Sequence, residues 1–317
     1  MKHFKILLFF IIFNTSLLQA SETRKIVYIT SDMKIPFWSI MSKGINNITK
    51  KHAYDFKVYD SQNSAKMELM HTINAIKNGV DGIVVSPTTS SACVTILKLA
   101  KKANIPVVIA DVGSDNDNYV SYVSSNNKLG AYNIGKTLAK EMKKRGIDNK
   151  KVGIIAIPQK RLNGQQRTAG FMEALNQANI KGADIKQLIT WSDEETYTYT
   201  KQLINRFPEL GAIWLQTSNI YKGAIKALKD SNKDKEILLI AFDAEPEFIE
   251  LIKNNTILAS GMQQPYLMGQ QAAISMHKYL NNQSIVKNIQ IPILNVSTAN
   301  IKQKKNEINL NVLGIEN

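Results

Sequence analysis

Four side chains in this sequence lie at or just after the end of a predicted β-strand: Trp38, Asp111, Trp191 and Asp243. Flat aromatic rings bind the apolar face of a small molecule, and carboxylates accept hydrogen bonds from hydroxyl groups or pair with a cation. Aromatic walls with a few polar groups are typical of pockets that hold a small polar ligand. The four residues therefore predict a binding site.

Each of these residues also has a simpler structural interpretation. Phe37 and Trp38 could pack against the helix that they begin, as a hydrophobic staple does. Asp243 could cap the helix that follows Pro246, and Asp111 could hold its turn. The interpretations differ in one respect: a binding site requires these side chains to meet in space.

The elements that would position these residues alternate along the chain. A first series has predicted strands at 26–30, 56–60, 82–86, 106–110 and 119–123, and helices at 37–52, 66–78, 94–102 and 127–145. A second series has strands at 152–157, 185–190, 212–215, 237–242 and 258–262, and helices at 166–177, 195–206, 219–230, 247–254 and 267–280, before an extended segment at 289–296. This alternation predicts an α/β protein of two doubly wound lobes with parallel sheets. Ligands bind such sheets at the carboxyl ends of the strands.

One motif suggests a different function. The string GAYNIGKT at 130–137 matches the P-loop pattern, which needs its glycines in a loop between a strand and a helix. Here Leu129 and Lys136 continue a helical pattern, and Ser125 or Asn126 could cap it. We therefore predict a helix and no nucleotide site.

Metal, cofactor and catalytic sites are not predicted. The four histidines are scattered, Cys93 is the single cysteine, and an EF-hand loop begun at Asp115 would need glutamate where Asn126 stands. The string DNDN at 115–118 favours a hairpin turn. Because no nucleophile and base share a suitable spacing, we expect a binding protein and not an enzyme.

The N-terminal residues indicate export. Residues 1–20 combine Lys2 and Lys5 with an apolar run at 6–13 and a small residue at Ala20, as a cleavable signal peptide does. An uncleaved anchor is the alternative. The net charge of +14 comes from dispersed lysines without interleaved aromatic residues, so we interpret it as a solvated surface and expect no nucleic acid partner.

Four strings in order extend these observations: DSQN at 60–63, GVDGIVVSP at 79–87, ANIPVVIAD at 103–111 and AFD at 241–243. With the aromatic pair at 37–38, they make residues 24–298 resemble the type I periplasmic binding proteins, such as those that bind ribose. The resemblance implies an N-terminal lobe of 21–125 completed by about 264–293. It also implies a C-terminal lobe of 126–263 completed by about 294–317, with three hinge crossings near 125–126, 263–264 and 294.

The resemblance also implies which residues contact the ligand. In this chain they are Phe37, Trp38, Asp111, Gln165, Arg167, Trp191, Thr217, Asp243 and Gln263. Arg167 is interpreted as lying behind the pocket or in an ion pair between the lobes. Three polar groups of the ribose binders are replaced here, by Ile35, Val112 and Gln165. These replacements predict a compact ligand with an apolar or cationic face instead of an ordinary pentose or hexose.

The function that the resemblance implies is a monomeric periplasmic solute-binding protein. It would close on a small polar ligand, a sugar or related metabolite, and deliver it to an ABC permease. Trp38 is also similar to a tryptophan in relatives that bind trimethylamine N-oxide or a furanosyl autoinducer. The alternative is therefore a sensor that presents its bound ligand to a membrane histidine kinase.

Overall fold

Runs of buried apolar residues form many of the strands of the protein, whose computed structural model describes residues 23–315. The predicted signal peptide, residues 1–20, lies outside the described residues. In chain order the strands are β1 (Lys25–Thr30), β2 (Asp55–Asp60), β3 (Gly82–Ser86), β4 (Val107–Ala110), β5 (Ser121–Ser125), β6 (Lys151–Ala156), β7 (Gly182–Gln187), β8 (Leu210–Leu215), β9 (Leu238–Phe242), β10 (Ala259–Met262), β11 (Asn288–Ile291) and β12 (Leu294–Ser297).

Helices connect most of these strands. They are α1 (Pro36–Lys51), α2 (Ala65–Lys77), α3 (Ser90–Lys102), α4 (Asn127–Lys144), α5 (Leu162–Gln177), α6 (Asp193–Arg206), α7 (Tyr221–Asp230), α8 (Phe248–Lys253), α9 (Pro265–Leu280) and the short α10 (Lys305–Glu307), which continues into a π-helical turn at Ile308–Val312. Side chains of Ser64, Thr89, Asn126 and Ser192 cap the first turns of α2, α3, α4 and α6.

The strands form two sheets of matching order. The first sheet runs β2-β1-β3-β4-β5-β11 with parallel pairing throughout, and the second runs β7-β6-β8-β9-β10-β12. In the second sheet β12 alone runs antiparallel to its neighbour. Buried apolar clusters cover both faces of each sheet. The predicted α/β fold of two doubly wound lobes is confirmed.

The chain passes between the sheets three times: between β5 and α4, between β10 and α9, and between β11 and β12. We call the first sheet with its helices the first lobe, and the second sheet with its helices the second lobe. Helix α9 returns to the first lobe, where Gly269 lies against the backbone of Met41 in α1. The predicted extended segment at 289–296 is therefore two strands, one in each sheet, separated by Pro292 and Ile293.

Strand β7 ends earlier than the sequence predicts. Strand β7 ends at Gln187, three residues before the predicted end, because its pairing with β6 stops there and Ile189 is 76% exposed. Trp191 consequently lies in the loop before α6.

The P-loop match lies entirely inside α4, as predicted, and Gly135 allows α4 to approach Ala174 of α5 closely. In the described part of the chain, no helix is both long and apolar enough to cross a membrane.

Candidate functional site

The first lobe contributes an apolar wall to the space between the lobes. Pro36 begins α1 after the extended Ile35, which places two consecutive aromatic residues in the first turn of the helix. The Phe37 and Trp38 rings meet edge to face, with centroids 4.9 Å apart. Trp38 is 4% exposed and also packs on the apolar core of its lobe, so it has a packing role, and its contact with a ligand stays a prediction.

Each lobe places one carboxylate at the same point of its sheet. Asp111 directly follows β4, and Asp243 directly follows β9, the strand in the equivalent position of the second sheet. Their backbones have φ values of 70° and 66°, in the left-handed region that non-glycine residues rarely adopt. Each amide donates to a carbonyl of the neighbouring strand or its loop, Val123 for Asp111 and Gly261 for Asp243. Such strained positions are typical of functional sites.

Asp243 is fully paired within the second lobe. Its Oδ1 accepts a hydrogen bond from Gln263 Nε2 at 2.7 Å, and its Oδ2 lies 3.4 Å from Arg167 Nη1. Burial raises the pKa of this carboxyl above its usual value, while Arg167 and Gln263 oppose the increase. The ion pair lies within the second lobe and not between the lobes.

Arg167 is held by three further groups. Its Nε donates to Asn127 Oδ1 at 2.8 Å, its Nη1 donates to the carbonyl of Gln216 at 2.7 Å, and its guanidinium lies 4.1 Å from the centre of the Phe242 ring. A guanidinium with this many partners is fixed in one orientation. Arg167 therefore presents a rigid positive charge beside the carboxylate of Asp243.

Asp111 is less completely paired than Asp243. Asn163 Nδ2, from the second lobe, donates to Asp111 Oδ2 at 3.3 Å, whereas Asp111 Oδ1 is buried and has no hydrogen-bond partner. Burial raises the pKa of Asp111 to about 6, and the charges of Arg167 and Arg161 limit the increase. A second acceptor, Gln263 Oε1, is also buried without a partner. A ligand that supplies donors to these two oxygens would satisfy both.

The second lobe adds a third aromatic ring and further polar groups. Trp191, with a φ of 60°, donates its backbone N–H to Glu195 Oε2 at 3.0 Å. Thr217 follows β8, and its hydroxyl donates to Asn219 Oδ1 at 2.8 Å. Both residues reach the space between the lobes, so the second lobe supplies an aromatic surface and a hydroxyl group opposite the aromatic wall of the first.

The structure brings eight of the nine predicted site residues to one cavity. The residues around this cavity are Ile35, Phe37, Trp38, Asp111, Ile157, Arg161, Asn163, Arg167, Trp191, Thr217, Asp243 and Gln263. The cavity has a volume of about 30 Å³, which is room for one or two water molecules. The lobes must therefore separate to admit a larger molecule.

Gln165 is the predicted residue that does not line the cavity. Its side chain donates to the carbonyl of Gln159 at 2.9 Å, because it lies on the side of the first turn of α5 that faces its own preceding loop. Arg161 and Asn163, which the sequence reasoning missed, line the cavity instead. Arg161 lies in the loop between β6 and α5, and Asn163 lies in the first turn of α5, so the signal that could have found them is their position after a strand.

These two residues change the ligand argument. The replacements at Ile35, Val112 and Gln165 predict a pocket with few hydrogen-bonding groups. Val112 is buried in the core of the first lobe, but Arg161 and Asn163 restore two polar side chains. The cavity consequently has seven polar side chains, so the three replacements do not leave it without hydrogen-bonding groups.

Comparison with known proteins agrees with this architecture. Residues 26–284 match the family model described as a periplasmic binding protein domain, and the chain belongs to this family. The predicted resemblance to type I periplasmic binding proteins is thereby confirmed.

Two relatives are ribose import binding proteins named RbsB. The protein from Bacillus subtilis is 26% identical over 263 residues, 83% of this chain and 84% of the relative. The protein from Haemophilus influenzae is 26% identical over 282 residues, 88% of this chain and 93% of the relative. The fold is also that of a solved structure, with a TM-score of 0.81. That structure is a periplasmic solute-binding protein of an ABC transporter from Actinobacillus succinogenes, with bound D-allose. It is 23% identical and covers 89% of this chain and all of its own.

Proposed function

We propose that this protein is a periplasmic solute-binding protein that closes on a small polyhydroxylated ligand and delivers it to an ABC permease. The observation that carries the proposal is the pair of buried oxygens without partners, Asp111 Oδ1 and Gln263 Oε1, in a cavity between aromatic rings. Both atoms accept hydrogen bonds, so the ligand must bring donors. Leaving such groups unpaired is unfavourable by about 1–3 kcal/mol each.

Neighbouring hydroxyl groups on a small ring meet this requirement. Hydroxyls donate to the carboxylate and the amide oxygen and accept from Arg161 or Arg167, while the ring face packs on Trp38 and Trp191. The proposal agrees with the names of the relatives, which bind ribose, and of the solved structure, which holds D-allose.

The same pocket argues against one ligand of the sensor alternative. Trimethylamine N-oxide has an acceptor oxygen and no hydroxyl or amino donor, so it leaves Asp111 Oδ1 and Gln263 Oε1 unsatisfied. A furanosyl ligand has hydroxyl groups and meets the requirement. Delivery to a permease and presentation to a kinase use the same closed form, and we favour delivery because the two relatives named above are import binding proteins and cover 83% and 88% of this chain.

Isothermal titration calorimetry of the purified protein tests this proposal. D-Ribose and D-allose are titrated as polyols, with trimethylamine N-oxide as the ligand without donors. We expect saturable binding of at least one sugar and none of trimethylamine N-oxide. Binding of trimethylamine N-oxide alone would reject the donor argument and favour the sensor alternative.

A further inference from the structure

One buried side chain of the second lobe makes its hydrogen bonds to the first lobe. Arg161 precedes α5 and is 6% exposed. Its Nε donates to the carbonyl of Thr88 at 3.0 Å, and its Nη2 donates to Asn63 Oδ1 at 3.2 Å. Thr88 lies in the loop between β3 and α3, and Asn63 lies in the loop between β2 and α2. One guanidinium therefore joins two loops of the opposite lobe.

The first lobe holds both acceptors in place. The carboxylate of Glu68, which is fully buried, accepts from the backbone N–H of Thr88 at 2.8 Å and from its hydroxyl at 3.1 Å. Asn63 adopts a left-handed backbone with a φ of 56°, and its N–H donates to the carbonyl of Ser31 at 2.7 Å. Because these acceptors are fixed within their own lobe, they do not depend on a ligand for their positions.

Arg161 also stands at the boundary of the ligand cavity. Its guanidinium lies 5.1 Å from the centre of the Trp191 ring, and both residues line the cavity on one side and a groove of about 420 Å³ on the other. The pair thus forms the wall between the cavity and this wider groove, at the mouth of the site.

We propose that Arg161 is a positioning residue that clasps the lobes at the mouth of the cavity. Its bonds to Thr88 and Asn63 join groups of the protein itself, so they stabilise the closed arrangement before a ligand contributes. Hydrogen bonds from a charged donor are stronger than neutral ones, and in an open arrangement water replaces them. The free protein then populates the closed form, which raises the apparent ligand affinity in proportion to that population.

Small-angle X-ray scattering of the ligand-free protein tests the clasp through the populations of compact and extended forms. Asn63→Gly is the cleanest variant, because glycine adopts the left-handed backbone without strain and Asn63 does not line the ligand cavity. We expect the ratio of closed to open protein to fall about tenfold in Asn63→Gly and about a hundredfold in Arg161→Ala. Lys160→Ala is the matched control, since Lys160 lines the same groove and is exposed.

The double variant Arg161→Ala with Asn63→Gly identifies the interaction. If the two residues act through their shared hydrogen bond, Asn63→Gly adds nothing once Arg161 is removed. Four results would each overturn the clasp. They are a wild type that is fully open, equal scattering of the wild type and both single variants, a double variant in which the two single effects add, and opening by Lys160→Ala. Because scattering uses no ligand, this test can succeed or fail independently of the sugar titration.

Discussion

The two carboxylates of the cavity occupy equivalent positions in the two lobes, but their surroundings differ. Asp243 is paired with Arg167 and Gln263, both from its own lobe or its hinge. Asp111 has one bond of 3.3 Å, from Asn163 of the opposite lobe, and an oxygen without a partner. The second lobe therefore pairs both oxygens of its carboxylate within itself, whereas the first lobe leaves one carboxylate oxygen without a partner.

This difference indicates that the two carboxylates have different roles. A paired carboxylate holds the geometry of the pocket in the open and closed forms alike. An unpaired buried carboxylate opposes folding, and it binds strongly to whatever donor reaches it. Stability measurements should separate the two roles, since the same substitution has opposite consequences at the two positions.

The largest effect is expected at Arg167. Arg167→Met keeps the length of the side chain but leaves the buried carboxylate of Asp243 without its cation, which should lower the free energy of unfolding by about 3–5 kcal/mol. Urea denaturation measures the loss. Arg145→Met is the control, because its pair with Glu141 is exposed and should contribute about 0–1 kcal/mol. Equal losses in both variants would contradict the role of Arg167.

A change of opposite sign is expected at Asp111. Its pKa of about 6 exceeds the usual aspartate value, so between about pH 4 and pH 6 the unfolded chain has released this proton and the folded protein retains it. The contribution of Asp111 to stability therefore falls as the pH rises through this range and stays low above it. Asp111→Asn removes the penalty and should raise the free energy of unfolding by about 1–3 kcal/mol at pH 7.

The equivalent substitution in the second lobe is the control for this prediction. Asp243→Asn removes the charge that faces Arg167 and should destabilise the protein at pH 7. Denaturation at pH 4 and pH 7 distinguishes the cases, because the gain from Asp111→Asn should disappear at the lower pH. A gain that persists at pH 4, or a loss at both positions, would show that the two carboxylates do not differ as described.

The neutral partners of the two carboxylates should also differ, and the smallest effect is expected at Asn163. Gln263→Ala removes a bond of 2.7 Å to a buried charge and should lower the free energy of unfolding by about 1.5–3 kcal/mol. Asn163→Ala removes the longer bond to Asp111 and should lower it by about 0.5–1 kcal/mol. The reverse ranking in urea denaturation would mean that the first lobe, and not the second, holds its carboxylate firmly.

The sequence predicts much of this site because one rule of α/β folds applies to it. Residues directly after parallel strands meet at one edge of a sheet, and the buried runs before Asp111 and Asp243 identify those strands well. Strand β7 is less predictable, since it lies at the edge of its sheet and Ile185 is 41% exposed. An apolar residue on such a strand does not indicate where pairing ends.

Arg161 and Asn163 show what sequence patterns leave open. Their partners, Thr88, Asn63 and Asp111, belong to the other lobe and lie 52 to 98 residues earlier in the chain. Local periodicity carries no information about such contacts. The resemblance to the ribose binders indicated Gln165 instead, a few residues further along the chain. In the structure, helix α5 begins before its predicted start, and the side chain of Gln165 turns toward its own preceding loop.

The central claim is that Asp111 Oδ1 has no hydrogen-bond partner until a ligand hydroxyl donates to it. The most direct test is to titrate Asp111→Asn with the sugar that the wild type binds most tightly. The substitution leaves an acceptor for Asn163 but removes the charge that attracts the ligand's donor. We predict that calorimetry shows about a hundredfold weaker binding, although the variant is more stable than the wild type. Unchanged affinity in this more stable protein would show that the ligand does not use the free oxygen of Asp111, and would contradict the account.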